Sequence, residues 1–264
     1  SQSTTLNEVV NLSSINPNGI QTSKTDAYVF KPIREDDVYY YFIFDNKERT
    51  IEKSITRPYY KTARGFEELN TYRSVVANAR LIFPYTIKGD KATLIPLKKL
   101  QSKYPKALEY FTSIKEILLD RKMSSYKNLE TEWYRYGRSQ NLTDCNVPIK
   151  IIAGNLSNGE KYAIDKQQIF VPAGGTAGYS LIIIPNDVSY NIYYVQALLN
   201  SLQAEWFSLV YGDFFRGNFI SRGTRFNGKI PFYKIDFENS LEVAKHDDIV
   251  ERQKKLISLG DRIA

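Results

Sequence analysis

The stretch LIFPYTIKGDKATLIP, residues 81–96, places two short apolar runs on either side of Lys88-Gly89-Asp90. A glycine-containing connection between β-branched and aromatic runs predicts an antiparallel hairpin, with strands at 81–86 and 91–96. The segment after it has a helical period. Residues 104–123 include Pro105, which suits a first helical turn, and set Leu108, Phe111, Ile114, Ile117 and Leu118 on one face. Further out, residues 38–44 (VYYYFIF) are β-branched and aromatic throughout and read as a buried strand. Residues 150–153, 163–171 and 180–185 read as strands around glycine-rich turns. Residues 190–210 predict a second long helix, apolar on most faces and therefore central. Asp247 can cap a helix over 248–263, where Ile249, Leu256, Leu259 and Ile263 form a stripe. Strands and helices interleave without a regular βαβ repeat. The expected class is α+β, with mixed, mainly antiparallel sheets, two long packed helices and a C-terminal helix.

The 264 residues carry 36 Lys and Arg against 29 Asp and Glu, a net charge of +7, which favours polyanions as partners. One His and one Cys cannot build a zinc site of the usual ligands or an internal disulfide, so redox and metal-thiolate chemistry are excluded. The longest apolar runs fall far short of the roughly 20 residues that span a bilayer, and the N-terminus lacks the pattern of a secretory signal. A cytoplasmic protein with no membrane partner is expected. Charge is unevenly placed: 49–64 and 212–229 are basic, whereas 236–248 is acidic. One basic face is the expected result.

Catalytic constellations are scarce. Gly174 to Tyr179 (GGTAGY) lacks the Gly-Lys-Ser/Thr ending of a phosphate loop and reads as a turn between strands. His246 lies in the acidic stretch and is expected to be solvated. Cys145, with no cation beside it in sequence, is expected to be an inert thiol. Asp37, the strand 38–44, then Asp45-Asn46-Lys47 follow the Asp…Asp-x-Lys spacing of metal-dependent nucleases, where acids hold Mg²⁺ and the Lys positions water. Asp45 and Lys47, however, fall in a polar turn. No Pro-Pro-aromatic segment of an amino methyltransferase occurs.

What the sequence does hold is cations laced with aromatics. Residues 56–65 (TRPYYKTARG) combine Arg57, Lys61 and Arg64 with Tyr59 and Tyr60; the cations can neutralise phosphates, while Tyr hydroxyls bond them or the rings stack. Residues 133–141 (WYRYGRSQN) offer Arg138 for guanine, Gln140 and Asn141 for adenine, and Ser139 for phosphate or base. Trp133 and Tyr136 in the same segment read as core anchors. Residues 214–229 repeat the theme with Arg216, Arg222, Arg225 and Lys229.

Six segments in order carry a resemblance: Gly19 to Ser23 with Asp26 to Val29; Arg57-Pro58-Tyr59; Leu81 to Tyr85; Tyr104 to Ala107; Trp133-Tyr134 with Gly137 to Gln140; and Ala197 to Ser201. From about residue 6 to 233 the chain resembles the TaqI-like C-terminal specificity domain, the target recognition domain of adenine-specific DNA methyltransferases and Type IIG restriction-modification enzymes. That domain is similar to the recognition domains of Type I specificity subunits. The resemblance implies a non-catalytic reader of double-stranded DNA, residues 1–240, followed by a spacer-like helix, 241–264. It implies no cofactor here, with S-adenosylmethionine and the flipped adenine held by a separate methyltransferase domain. Arg57, Lys61, Arg64 and the cations of 216–229 are then expected on phosphates, with Arg138, Ser139 and Gln140 on bases. Because the family shares Gly137 to Gln140, that segment also suits a structural role, and the arginines of 216–229 are the favoured contacts. Ser23 departs from the family, which usually has glycine there, so the first loop is expected to be built differently. The rival readings are the metal-dependent nuclease on Asp37, Asp45 and Lys47, and a protein-interaction scaffold using the last helix.

Overall fold

A computed structural model of the chain describes residues 3–10, 18–61, 69, 71–121, 128–158, 162–173, 178–215, 219–222 and 224–263. Among them every strand ladder is antiparallel and helices are interspersed, so the α+β class holds. The hairpin forms between Tyr85–Lys88 and Lys91–Leu94, and Gly89 takes the left-handed backbone that the turn requires, at φ +57°. Leu81 and Ile82 belong elsewhere. They lie in Ala79–Ile82, the middle strand between Val29–Phe30 and Thr56–Tyr59. Pro84 has no N–H to continue a ladder, so the apolar run 81–86 is divided between two sheets.

A three-stranded sheet, Lys150–Gly154 between Tyr162–Asp165 and Tyr179–Ile182, organises the packing. Successive strand residues point to opposite faces. Ile152, Ala163 and Leu181 enter a large cluster with Phe83, Phe111 and Tyr136, whereas Ile151, Ile164 and Ile182 enter a second with Tyr194, Val250 and Ile257. At one edge Lys150 and Asp165 face each other across the ladder, both fully buried and ion-paired. The Lys150 ammonium also donates to the Cys145 carbonyl, and Asp165 accepts the N–H groups of Gln167 and Ile169.

Several sequence expectations are corrected by burial and by long-range contacts. The strand Tyr39–Phe44 is only half-buried, with Phe42 its one fully buried side chain, because it forms a hairpin with Lys47–Glu52 at the surface. The two long helices are each interrupted. Ile114 leaves helical backbone between Pro105–Ser113 and Lys115–Leu119, and Lys122 and Met123 lie outside the described residues. Asn200 parts Ile192–Leu199 from Leu202–Tyr211 because its amide exchanges two hydrogen bonds with the Tyr162 backbone, while Ser201 caps the second segment. That second segment is not central: Leu202, Trp206, Leu209, Val210 and Tyr211 are all exposed.

The C-terminal helix is Ser240–Ile263, starting eight residues before the expected position, since nothing in 240–247 breaks helical backbone. His246 is consequently buried, not solvated. Its Nε2 accepts the Asn191 N–H at 3.2 Å and its ring packs 4.6 Å from that of Tyr194. Farther along, Asp261 accepts both the N–H and the hydroxyl of Ser74, and Gly260 touches the Tyr72 backbone so closely that a Cβ would lie 1.8 Å from its oxygen. None of the described helices is long and apolar enough to cross a membrane.

The first loop retains a glycine-like path despite its serine. Ser23 sits at φ +60°, in the left-handed region that side chains disfavour. Strain there is roughly 1–2 kcal/mol, about half of which glycine forfeits through its freer unfolded state. Ser23→Gly is therefore expected to stabilise the fold by about 0.5–1 kcal/mol, read as a higher urea midpoint at unchanged m value. An unchanged or lower midpoint would contradict the strain.

Candidate nucleic-acid interface

The segment 133–140 alternates between anchors and outward groups. Trp133, Tyr134 and Tyr136 are buried, and their rings pack against Phe111, Tyr28, Phe83 and Tyr85. The Tyr28 hydroxyl donates to the carbonyls of Tyr134 and Arg135. Behind it the buried Arg121 guanidinium donates to the carbonyls of Trp133 and Arg135 and to Tyr28 Oη. The N–H groups of Gly137 and Arg138 donate to the carbonyls of Thr22 and Gln21, so the loop carrying Ser23 braces this one. Tyr85 Oη accepts the Tyr136 N–H at 2.7 Å and meets Ser139 Oγ at 3.1 Å.

With its backbone so held, the segment turns Arg138, Ser139 and Gln140 to solvent. They line an open recess together with the largely buried Arg135, whose Nη1 pairs with Glu132 at 3.6 Å and whose Nε and Nη2 have no hydrogen-bond partner among the described residues. Two guanidinium groups, a hydroxyl and an amide thus share one fixed surface. Arg135 was missed by sequence reasoning, although its place three residues before Arg138 in a cation-rich segment was the available signal.

Tyr85 also borders a second depression, a groove of about 270 Å³ beneath the Leu97–Lys103 helix. Arg57, Lys99, Lys103, Ser54, Thr86 and Asn146 supply its polar lining. The Arg57 guanidinium donates to the Thr56 carbonyl, stands 5.2 Å from the Phe83 ring centre, and has its pKa lowered by burial.

No family model matches the chain. It is 44% identical over 262 residues to the "Type II restriction enzyme and methyltransferase RM.Eco57I" of Escherichia coli. The chain is related to a segment of a restriction-modification enzyme. The match takes in 98% of this chain and 26% of that enzyme, so the chain spans about a quarter of the length of the curated relative it matches.

Other expected contacts fare differently. Tyr59 and Tyr60 turn into the core, where Tyr60 packs on Tyr179 and burial drives the Tyr59 phenol pKa upward, so neither ring is free to stack. Arg222 is also withdrawn. It is 1% exposed and donates to Ser208 Oγ on the Leu202–Tyr211 helix, so it is turned inward, away from any phosphate. Lys61 is partly exposed and paired with Asp26 at 3.1 Å, and Lys229 is exposed. Arg64, Arg216, the Arg225 side chain and residues 174–177 of the glycine-rich turn lie outside the described residues.

The nuclease constellation does not assemble. Asp37 and Asp45 lie beyond opposite ends of Tyr39–Phe44, and a six-residue strand is about 20 Å long. Asp45 and Asn46 form the hairpin turn, both at positive φ, and Asp37, Asp45 and Lys47 are exposed. Among the described residues no three His, Cys, Asp or Glu side chains are grouped to hold a metal. Cys145 is fully buried; Lys150 stands nearby, contrary to the sequence expectation, yet burial dominates and pushes the thiol up to about 11.

Proposed function

We propose that the chain is the sequence-recognition part of a restriction-modification polypeptide of the TaqI-like, Type IIG kind. In this reading it grips double-stranded DNA while an adenine-N6 methyltransferase part, holding S-adenosylmethionine, performs the chemistry. One observation carries the proposal: Arg138, Ser139 and Gln140 face solvent beside Arg135 on a backbone fixed by buried aromatics and by Arg121. Groups meant to read base edges need such a fixed frame, because a hydrogen-bond pattern discriminates only if its donors and acceptors cannot shift to suit the wrong base. Arg138 supplies a fork for guanine, Gln140 a donor–acceptor pair for adenine, and Lys61 and Lys229 supply phosphate contacts. The chain itself contributes no catalytic residue and holds no cofactor. Its C-terminal helix acts as a spacer toward the rest of the polypeptide. In this reading the protein acts on DNA in the cytoplasm.

Enrichment of bound duplexes from a pool with a randomised centre, at low salt, tests this. The 264-residue chain is expected to return one consensus sequence, and Arg138→Ala is expected to relax it at one position with a tenfold or greater loss of affinity, the equivalent of about 1–3 kcal/mol. A chain that retains no duplex, or retains all sequences equally, overturns the proposal.

A further inference from the structure

We infer that the groove beneath the Leu97–Lys103 helix seats the sugar-phosphate backbone of the DNA strand next to the Arg138–Gln140 surface. This rests on the recognition reading above and adds to it a location and two cations, Lys99 and Lys103, that the sequence pattern did not single out.

Three observations carry it. First, Arg57, Lys99 and Lys103 converge on one groove, and no carboxylate among the described residues lines it, in a chain with 29 acids against 36 bases. Such segregation creates a local positive potential that the net charge alone does not. The remaining polar lining, Ser54, Thr86 and Asn146, offers the neutral donors that commonly accompany cations on phosphate oxygens. Second, the spacing fits an extended polyanion better than a single phosphate. Lys99 and Lys103 are four residues apart on one helix, about 6 Å along its axis, and both are exposed. Phosphates of one DNA strand recur about every 3.4 Å along the duplex axis, so the two positions lie about two phosphate steps apart. Neither forms a salt bridge among the described residues. Third, the groove is joined to the reading surface through one side chain. Tyr85 lines the groove while its hydroxyl meets Ser139 Oγ and the Tyr136 N–H. A backbone seated in the groove would therefore register the bases against Arg138 and Gln140.

The experiment measures affinity for a duplex of scrambled sequence across a salt series, by fluorescence anisotropy, for the intact 264-residue chain. Lys99→Ala with Lys103→Ala is expected to flatten the log–log salt slope by about 1.8, which is two phosphate contacts, and to weaken binding severalfold or more at fixed low salt. Lys99→Arg with Lys103→Arg is expected to restore the slope. Lys245→Ala with Lys255→Ala, which removes the same charge from the exposed face of the C-terminal helix, is expected to leave it unchanged. Circular dichroism melting checks that each variant is folded. If the wild-type chain binds with a steep slope and the Lys99 and Lys103 change leaves it intact, or flattens it no more than the distant pair does, the groove is not the phosphate seat. If the wild-type chain shows no salt-dependent binding, the recognition reading falls and the groove with it.

Discussion

Asp165→Ala is expected to destabilise the fold by about 3–5 kcal/mol, enough to abolish most of the stability of a typical domain. The carboxylate is fully buried at the edge of the central sheet, paired with Lys150 and accepting the N–H groups of Gln167 and Ile169. Removing it leaves an enclosed ammonium with the Cys145 carbonyl as its remaining acceptor among the described residues, and frees the buried N–H of Ile169 together with the part-buried N–H of Gln167. Lys150→Met should be milder, because Asp165 retains two backbone donors. The double change, Lys150→Met with Asp165→Asn, should recover much of the loss, since a neutral amide still accepts from the backbone and no charge stays buried. Urea denaturation of the three variants checks this. Single and double variants that lose the same amount would show that the pair's electrostatics are not what matters.

Arg121→Met is expected to cost about 2–4 kcal/mol and to loosen the 133–140 segment, on which the proposed DNA recognition depends, beyond that loss. The guanidinium is 7% exposed and satisfies the carbonyls of Trp133 and Arg135 together with Tyr28 Oη. A charged donor contributes more per hydrogen bond than a neutral one, and the Trp133 carbonyl, which loses this donor, adds a desolvation penalty, while the Arg135 carbonyl keeps the Tyr28 hydroxyl. Methionine keeps the packing volume of the stem without the donors, so the deficit reports on the hydrogen bonds. Arg121→Lys should rescue only in part, because an ammonium cannot reproduce a planar fork. Amide hydrogen exchange gives the decisive reading. Tyr136 and Gly137 are expected to lose protection far more than Ile151 or Ile182 in the central sheet, and uniform loss across the chain would mean that Arg121 serves global stability alone.

The division between what was legible and what was not follows the kinds of residue involved. Tyr28, Tyr59, Phe83, Tyr85, Tyr104, Trp133 and Tyr134, which carry most of the resemblance, are all buried, so the pattern they write is a packing pattern. Strand and helix alternation was readable for the same reason. The interruption at Asn200 was not, because it depends on two hydrogen bonds to Tyr162, 38 residues away, within an otherwise continuous apolar run. Charge and aromatic content marked loops in the sequence but could not mark the direction of each side chain. Arg222 and Arg138 look alike in sequence, yet one is held by Ser208 inside and the other stands in solvent. Lys99 and Lys103 were hidden in the opposite way. Nothing in LKKLQSK singles them out, and only the fold brings Arg57, from 42 residues before Lys99, into the same groove.

The pairing of Ser3–Thr5 with Pro231–Tyr233 places the first described strand beside the last. Leu6 and Phe232, which flank and belong to that ladder, both enter the second core cluster, onto which the Ser240–Ile263 helix then packs through Val250 and Ile257. Two distant ends of the sequence thus share one seam, so trimming the first strand would bare the Pro231–Tyr233 edge and loosen the seat of the last helix, a loss felt some 230 residues away along the chain but at once in space.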